Sequence, residues 1–332
     1  MNKSDLIKIL SSENRFFGSE ELTNSLNISR QGVWKLINSL KNEGYSIESV
    51  KGKGYRLTGL TDEITKAGVL SRLNSDRWNV SVFDSLDSTN LELLRQASNG
   101  ASEGTIIIAD EQTGGLGRRG RSFLSPAGYS IFMSILLKPN IPPSAVSCIT
   151  LVWALAVYKG LIKNLKNSDK LNAGIKWPND ILIDNKKVCG ILTQMSAELD
   201  YINYVVTGIG INVNNPSMDD SISDTASSLY LLTKEKYNRD ILVADIINEF
   251  EGYYESFVES KNFAPFIDEY NSYLLNYQKQ VRIFDGLVED AKPEDIREGL
   301  CTGIYEDGSL KVIINGVEEK INAGEVSIRD LI

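Results

Sequence analysis

Gly114-Gly-Leu-Gly-Arg-Arg-Gly-Arg121 sets four glycines and three arginines into eight positions of an otherwise acidic chain. Glycine lets backbone N–H groups approach a ligand, and arginine brings a permanent planar cation that forks onto carboxylate or phosphate oxygens. The stretch predicts a loop that closes on an anion. Through Gly115, Gly117 and Gly120 it also spells the G-x-G-x-x-G of a dinucleotide fold, but that fingerprint needs a helix opening at the loop to receive the pyrophosphate. Here Tyr129-Ser-Ile-Phe-Met-Ser-Ile-Leu-Leu137 reads as a buried strand after the loop, and Gly104-Thr-Ile-Ile-Ile-Ala-Asp110 as the strand entering it. The order strand, loop, strand removes the dinucleotide reading. It also disfavours a mobile solvated linker, since linkers seldom sit between two strongly apolar strands.

Outward from the loop, 332 residues with 42% hydrophobic and 24% charged content are ordinary globular material, enough for two or three domains. Histidine is absent, which excludes His-based triads, HExxH metal sites and histidine general bases. Chemistry must then run on Lys, Arg, carboxylates and backbone. Cys148, Cys189 and Cys301 are odd in number and far apart, so neither a disulfide framework nor a zinc site is expected. The apolar run Leu151–Tyr158 is too short to span a bilayer, and no charged-then-apolar signal opens the chain, so a soluble cytoplasmic protein without a membrane partner is expected. The net charge of −9 argues against nucleic acid over most of the surface, but residues 1 to 62 hold nine Lys and Arg against seven Asp and Glu, while the remainder holds 26 against 37.

That cationic segment reads as a winged helix-turn-helix. Leu6, Ile9 and Leu10 predict a short helix, Ser19 caps a second carrying Leu22 and Leu26, and Asn27-Ile-Ser29 makes a tight turn. Ser29 caps a third helix, where Val33, Leu36, Ile37 and Leu40 fall at i, i+3, i+4 and i+7. Its polar face offers Arg30, Gln31, Lys35, Asn38 and Lys41, with Trp34 read as packing. Two short strands around Lys51-Gly-Lys-Gly54 form a basic wing, presenting Lys51 and Lys53. Such a head reads a major groove while its wing holds flanking phosphates. A three-helix protein-interaction module is the alternative, disfavoured because the polar residues gather at the N-terminal end of the third helix, where base contacts fall.

From about residue 66 to 272 strands and helices alternate, predicting a mixed α/β domain in an α+β multidomain chain. Ser88, Thr89 and Asn90 precede a helix bearing Leu91 and Leu94. One such residue suffices for a cap, so three leave hydroxyls and an amide for a polar ligand at the helix's positive end. Gly174-Ile-Lys-Trp-Pro-Asn-Asp180 puts Lys176 beside a rigid Trp-Pro pair, with Lys176 and Trp177 expected on opposite sides of the strand. Gly208-Ile-Gly-Ile-Asn-Val-Asn214 clears one strand face for a flat ring or another backbone, or simply marks a kinked strand. From residue 278 to 332, turn signals at Asp285-Gly286, Asp307-Gly308, Asn315-Gly316 and Ala323-Gly324 separate short alternating strands, as in a small β-barrel.

Taken together, Asp87-Ser-Thr-Asn90, Gln112 with Gly115–Arg121, Lys176-Trp-Pro-Asn-Asp180, Gly208-Ile-Gly-Ile-Asn212 and Gly324-Glu-Val-Ser-Ile-Arg329 resemble, along the whole chain, the biotin protein ligases that also repress the biotin operon. The resemblance implies a class II synthetase-like catalytic domain and an SH3-like C-terminal barrel. It implies that biotin and MgATP give biotinyl-5′-adenylate and pyrophosphate, after which a lysine of a biotin carboxyl carrier protein displaces AMP. It further implies operator DNA as a partner and a homodimer, formed through the central sheet, when the adenylate is bound. By the same likeness Ser88, Thr89, Asn90 and Gln112 line the biotin site, and Gly115, Leu116, Gly117 and Arg118 fold over the ligand in a loop that orders with it. Lys176 contacts the carboxylate or the bridging adenylate oxygen. Asn212 and Arg329 lie on the nucleotide side, and Arg119 and Arg121 steer phosphates. Leu116 departs from the arginine or lysine common in that loop, and Phe123 stands where tryptophan is frequent. A lipoate ligase and a biotin-responsive regulator without catalysis are the rival readings.

Overall fold

The computed structural model describes residues 3–285, 296–322 and 326–330, without the side chains of Arg119, Asp285 and 326–330. Helices α1 (Lys3–Ser12), α2 (Ser19–Leu26) and α3 (Arg30–Asn42) and the hairpin β1 (Ser46–Val50) and β2 (Gly54–Gly59) form the first unit. Its core joins Leu6, Ile7, Leu10, Phe17, Leu22, Val33, Ile37, Leu40, Tyr45 and Ile47. Ser29 caps α3 as expected, accepting from the Gly32 N–H at 3.1 Å. Ser19 does not cap α2: Gly18 holds that position, and its N–H donates to Glu21 Oε2. Trp34 is not packing either, being 56% exposed. The wing is pinned to the helices because Phe17 and Tyr55 exchange both backbone hydrogen bonds, at 2.8 and 3.0 Å. Gly54, at φ +104°, allows this, since a Cβ there would lie 1.9 Å from the Phe17 carbonyl oxygen.

After α4 (Lys66–Leu70) come β3 (Asn79–Leu86), α5 (Thr89–Ser98), β4 (Thr105–Gln112), β5 (Ile131–Leu137) and α6 (Val146–Asn164). Then follow β6 (Ala173–Lys176), β7 (Asp180–Ile183), β8 (Lys186–Ala197), β9 (Ile202–Ile211), α7 (Leu229–Thr233), α8 (Arg239–Ser260) and α9 (Ile267–Tyr273). The seven strands form one mixed sheet in the order β3-β4-β5-β9-β8-β7-β6, with only β3 and β4 parallel. Strand alternation divides the apolar residues between its faces. Ile106, Ile108, Met133 and Ile135 join the main core with α6 and α8, where Trp153 stacks on Phe250 with ring centres 3.4 Å apart. Ile107, Leu136 and Val206 face α5 through Leu93 and Ala97. The stretch Pro143–Asn164 is long and apolar enough to cross a membrane, but 72% of its most apolar 18-residue window is buried in the protein, as a core helix should be.

The C-terminal strands β10 (Lys279–Asp285), β11 (Ile296–Ile304), β12 (Leu310–Ile314), β13 (Val317–Ile321) and β14 (Val326–Asp330) form an antiparallel sheet ordered β13-β12-β11-β10-β14. Among the described residues this is the antiparallel sheet expected of a small C-terminal β domain. Asn315 and Gly316 turn with positive φ between β12 and β13, and Gly308 turns after β11. The expected turns at Gly286 and at Ala323-Gly324 lie outside the described residues. The sheet's Val281, Cys301, Leu310 and Val312 share one continuous core with the central domain.

Candidate active site

The site lies on the α5 face of the sheet, at the N-terminal end of that helix, over Gly190 of β8 and Gly208 and Gly210 of β9. Its floor is glycine, because any side chain would fill it. A Cβ on Gly208 would sit 2.1 Å from Asn90 Oδ1, and one on Gly210 would sit 2.8 Å from the Phe123 ring. A pocket opens above, lined by Ser88, Thr89, Asn90 and Gln112 and by Leu116, Gly117, Arg118, Asn179 and Lys187.

The polar end is held rigidly. Thr89 N–H and Oγ1 both donate to Gln112 Oε1, at 2.9 and 3.0 Å. Asn90 Nδ2 donates to Gln194 Oε1 at 2.8 Å, and Ser134 Oγ lies 2.7 Å from Thr89 Oγ1 and 2.6 Å from Asn90 Oδ1. Ser88 takes the N-cap position of α5 yet makes no side-chain cap bond, and its buried Oγ has no hydrogen-bond partner among the described residues. A buried hydroxyl left unpaired costs stability, and a polar ligand group would satisfy it. Upstream, Asp87 is clasped by both terminal nitrogens of Arg95, at 2.8 and 2.9 Å. That guanidinium, with the Ser88 N–H, holds the Asp87 carboxyl down at about 2. The Asp87 carbonyl accepts from Gly114 N–H at 2.8 Å, tying the start of α5 to the start of the glycine-arginine loop.

The loop itself is a small hairpin. Phe123 N–H donates to Gly115 O at 2.9 Å, Gly117 N–H to Arg121 O at 2.7 Å, and Arg118–Gly120 forms the turn. Phe123 leans over the Gly190 and Gly210 floor, edge-on to Phe132 at 6.2 Å. Arg118 Nη1 donates to Asn179 Oδ1 at 2.8 Å.

The sequence-derived residues do not all meet here. Ser88, Thr89, Asn90, Gln112, Leu116, Gly117 and Arg118 line the pocket; Gly115 supports the hairpin with its carbonyl. Lys176 does not line it, and the lysine that does is Lys187, whose Nζ lies 2.7 Å from Asp180 Oδ1. Trp177, joined to Pro178 by a cis peptide bond, is buried and donates through Nε1 to Gly308 O at 2.9 Å, so this segment also anchors the C-terminal sheet. Asn212 is buried just beyond β9, bonded to Ser227 O at 3.2 Å, and Arg121 lies outside the pocket lining. The side chains of Arg119 and Arg329 lie outside the described residues. Sequence reasoning missed Lys187, Asn179 and the glycine at 190. Ser29, Arg30, Gln31, Lys35, Lys51 and Lys53 are all exposed on the first unit.

A glycine-arginine hairpin, a helix start with an unpaired buried hydroxyl and two cations over a glycine floor make up a ligase site. Residues 82–212 match the Biotin/lipoate A/B protein ligase family and residues 2–56 match an HTH domain. The bifunctional ligase/repressor BirA of Bacillus subtilis is 34% identical across 98% of both chains; that of Escherichia coli is 28% identical over 95% of this chain and 93% of its own. The solved biotin protein ligase from Aquifex aeolicus in complex with biotin and ATP, 28% identical, superposes with a TM-score of 0.64 over 76% of this chain and 99% of its own. The chain belongs to the bifunctional biotin ligase/repressor family.

Proposed function

We propose that this protein activates biotin with ATP and transfers it to a lysine of a biotin carboxyl carrier protein, and that it represses biotin genes with the adenylate as corepressor. A biotin carboxylate oxygen attacks the α-phosphorus of ATP and pyrophosphate leaves. The carrier lysine amine, as the neutral base, then attacks the acyl carbon; AMP leaves and the nitrogen gives up a proton. Both reactants of the first step are anions and charge builds on phosphorus, so preorganised cations lower the barrier. The observation that carries the reading is the meeting, in one pocket, of the Ser88-Thr89-Asn90 helix start with Arg118 and Lys187.

Ser88, Thr89, Asn90 and Gln112 suit the polar ring of biotin, with Leu116 and Gly117 over it. Arg118 and Lys187 suit the carboxylate and the phosphate it joins. Gly115, Arg119, Arg121, Asn212 and Arg329 are assigned to the nucleotide side and Lys176 to the bridging adenylate oxygen, and Mg2+ is taken to arrive as MgATP. Domain limits of 1–62, 66–272 and 278–332, homodimerisation on adenylate binding and a cytoplasmic location belong to the same reading. Ser29, Arg30, Gln31, Lys35, Lys51 and Lys53 are the proposed operator contacts. The test is pyrophosphate release by the full chain with MgATP: biotin should support it and lipoate should not. Release that ignores biotin would end the ligase reading.

A further inference from the structure

Three of the four tryptophans are buried: Trp78, Trp153 and Trp177 are between 0% and 4% exposed. Trp34 stands out in the middle of α3. The core-facing stripe of that helix is Val33, Leu36, Ile37 and Leu40, with Leu36 half-buried, and the opposite side carries exposed Gln31, Trp34 and Lys35 with half-buried Asn38, again at i, i+3, i+4 and i+7. This is the spacing at which a recognition helix presents side chains to base edges. The same helix carries the exposed cations Arg30, Lys35 and Lys41, and the wing carries exposed Lys51 and Lys53. A large exposed apolar ring on a cationic domain complements a polyanion that carries apolar groups. Duplex DNA does so in its major groove, through the thymine C5-methyl.

We propose that Trp34 is a sequence-reading residue that packs on a thymine methyl in the major groove, with Gln31 and Asn38 beside it for hydrogen-bonded readout. The inference rests on the operator-binding reading and gives it a chemical preference. The five cations supply affinity without sequence information, whereas a methyl-indole contact discriminates thymine from cytosine and from uracil. Truncating Trp34 spares the core stripe of α3, so the helix keeps its packing.

The experiment uses the full chain with biotin and MgATP. Wild type and Trp34→Ala each select from a random duplex library, and every thymine of the wild-type winner is then replaced singly by deoxyuridine. The expected result is a thymine in each half-site whose replacement weakens wild type about fourfold, the worth of one buried methyl-sized group, and leaves Trp34→Ala unaffected. Independently of any variant, acrylamide quenching, which reaches only Trp34 among the tryptophans, should fall when wild type is saturated with that duplex. If wild type enriches a sequence but no thymine shows this coupling, or quenching of Trp34 is unchanged in the complex, the inference is overturned and operator binding stands. Enrichment of no sequence by wild type overturns both, leaving this face to a protein partner.

Discussion

Arg118, on the glycine-arginine hairpin, donates from Nη1 to Asn179 Oδ1 at 2.8 Å, and Asn179 is itself fixed to β8 by two bonds with Ile191, Nδ2 to O at 3.0 Å and Ile191 N–H to O at 2.9 Å. A loop cation is thereby aimed by a buried amide on a turn of the sheet. A hydrogen bond to a charged group is worth roughly 1.5–3 kcal/mol, so Asn179→Ala should speed dissociation of the adenylate by about tenfold or more. Arg118→Gly should release it more freely and label bystander lysines. A filter or stopped-flow dissociation assay measures both, and unchanged retention in Arg118→Gly would refute the clamp.

Lys187 and Lys176 make a second contrast. Loss of one preorganised donor to a developing charge costs about 10²–10³ in rate, so Lys187→Met should slow single-turnover adenylate formation by that order. Lys176→Met should leave the Kd for biotin within a factor of about three, because Lys176 does not line the pocket. Calorimetric titration with biotin reads the second quantity. A larger biotin defect in Lys176→Met than in Lys187→Met would reverse the assignment.

The glycine floor predicts a size threshold. Gly208→Ala sets a methyl 2.1 Å from Asn90 Oδ1 and must displace that amide. Biotin affinity should fall by about ten- to a hundredfold, in line with the roughly 1–3 kcal/mol of overpacking and of unpaired polar groups. Far-UV circular dichroism should stay that of the wild type, since the clash is confined to the pocket.

How far these features could be read beforehand depends on how local their cause is. The helix start at Ser88–Asn90, Gln112 and the hairpin are short-range patterns, and the structure brings them together. Lys187 was hidden by a bulge. Cys189 pairs with Ile181, but Lys187 pairs with Leu182, leaving Val188 as an extra residue. In a regular strand, Lys187 and Gly190 would face opposite sides; the bulge brings both to the pocket. Lys176 looked favourable because its Trp-Pro neighbour is rigid, yet that rigidity serves the contact of Trp177 with Gly308. Trp34 was assigned to packing by residue type, although its place opposite the Val33–Leu40 stripe already set it outside. Long-range polar anchoring was invisible too: Arg239 is 2% exposed, and it reaches Asp110 at 2.7 Å, Ser130 O at 3.0 Å and Asp62 O, distant in sequence.

Beside Arg239, Asp240 joins the first unit to α8. Its carboxylate accepts from Thr65 N–H at 2.9 Å and Thr65 Oγ1 at 3.2 Å, and from the Tyr45 hydroxyl at 3.4 Å. Burial raises its pKa from 3.8 to about 6, against the pull of those hydrogen bonds and of Arg72. The folded protein thus holds this proton more tightly than the unfolded chain. The associated stability is fully present below about pH 4 and is lost as pH rises through about 6, a change of roughly 3 kcal/mol. Asp240→Asn should therefore melt higher than wild type at pH 7.5, with the gap narrowing to about a third by pH 4.5. Calorimetric melts of both proteins across that range test this, and a gap independent of pH would contradict it.

The most direct test of the central claim is the mass of an acceptor carrier domain after incubation with this protein, MgATP and equal biotin and lipoate. The account predicts a single biotin on one lysine, with one AMP and one pyrophosphate released per acceptor and no lipoyl adduct. A lipoyl adduct, or an unmodified acceptor, would contradict it.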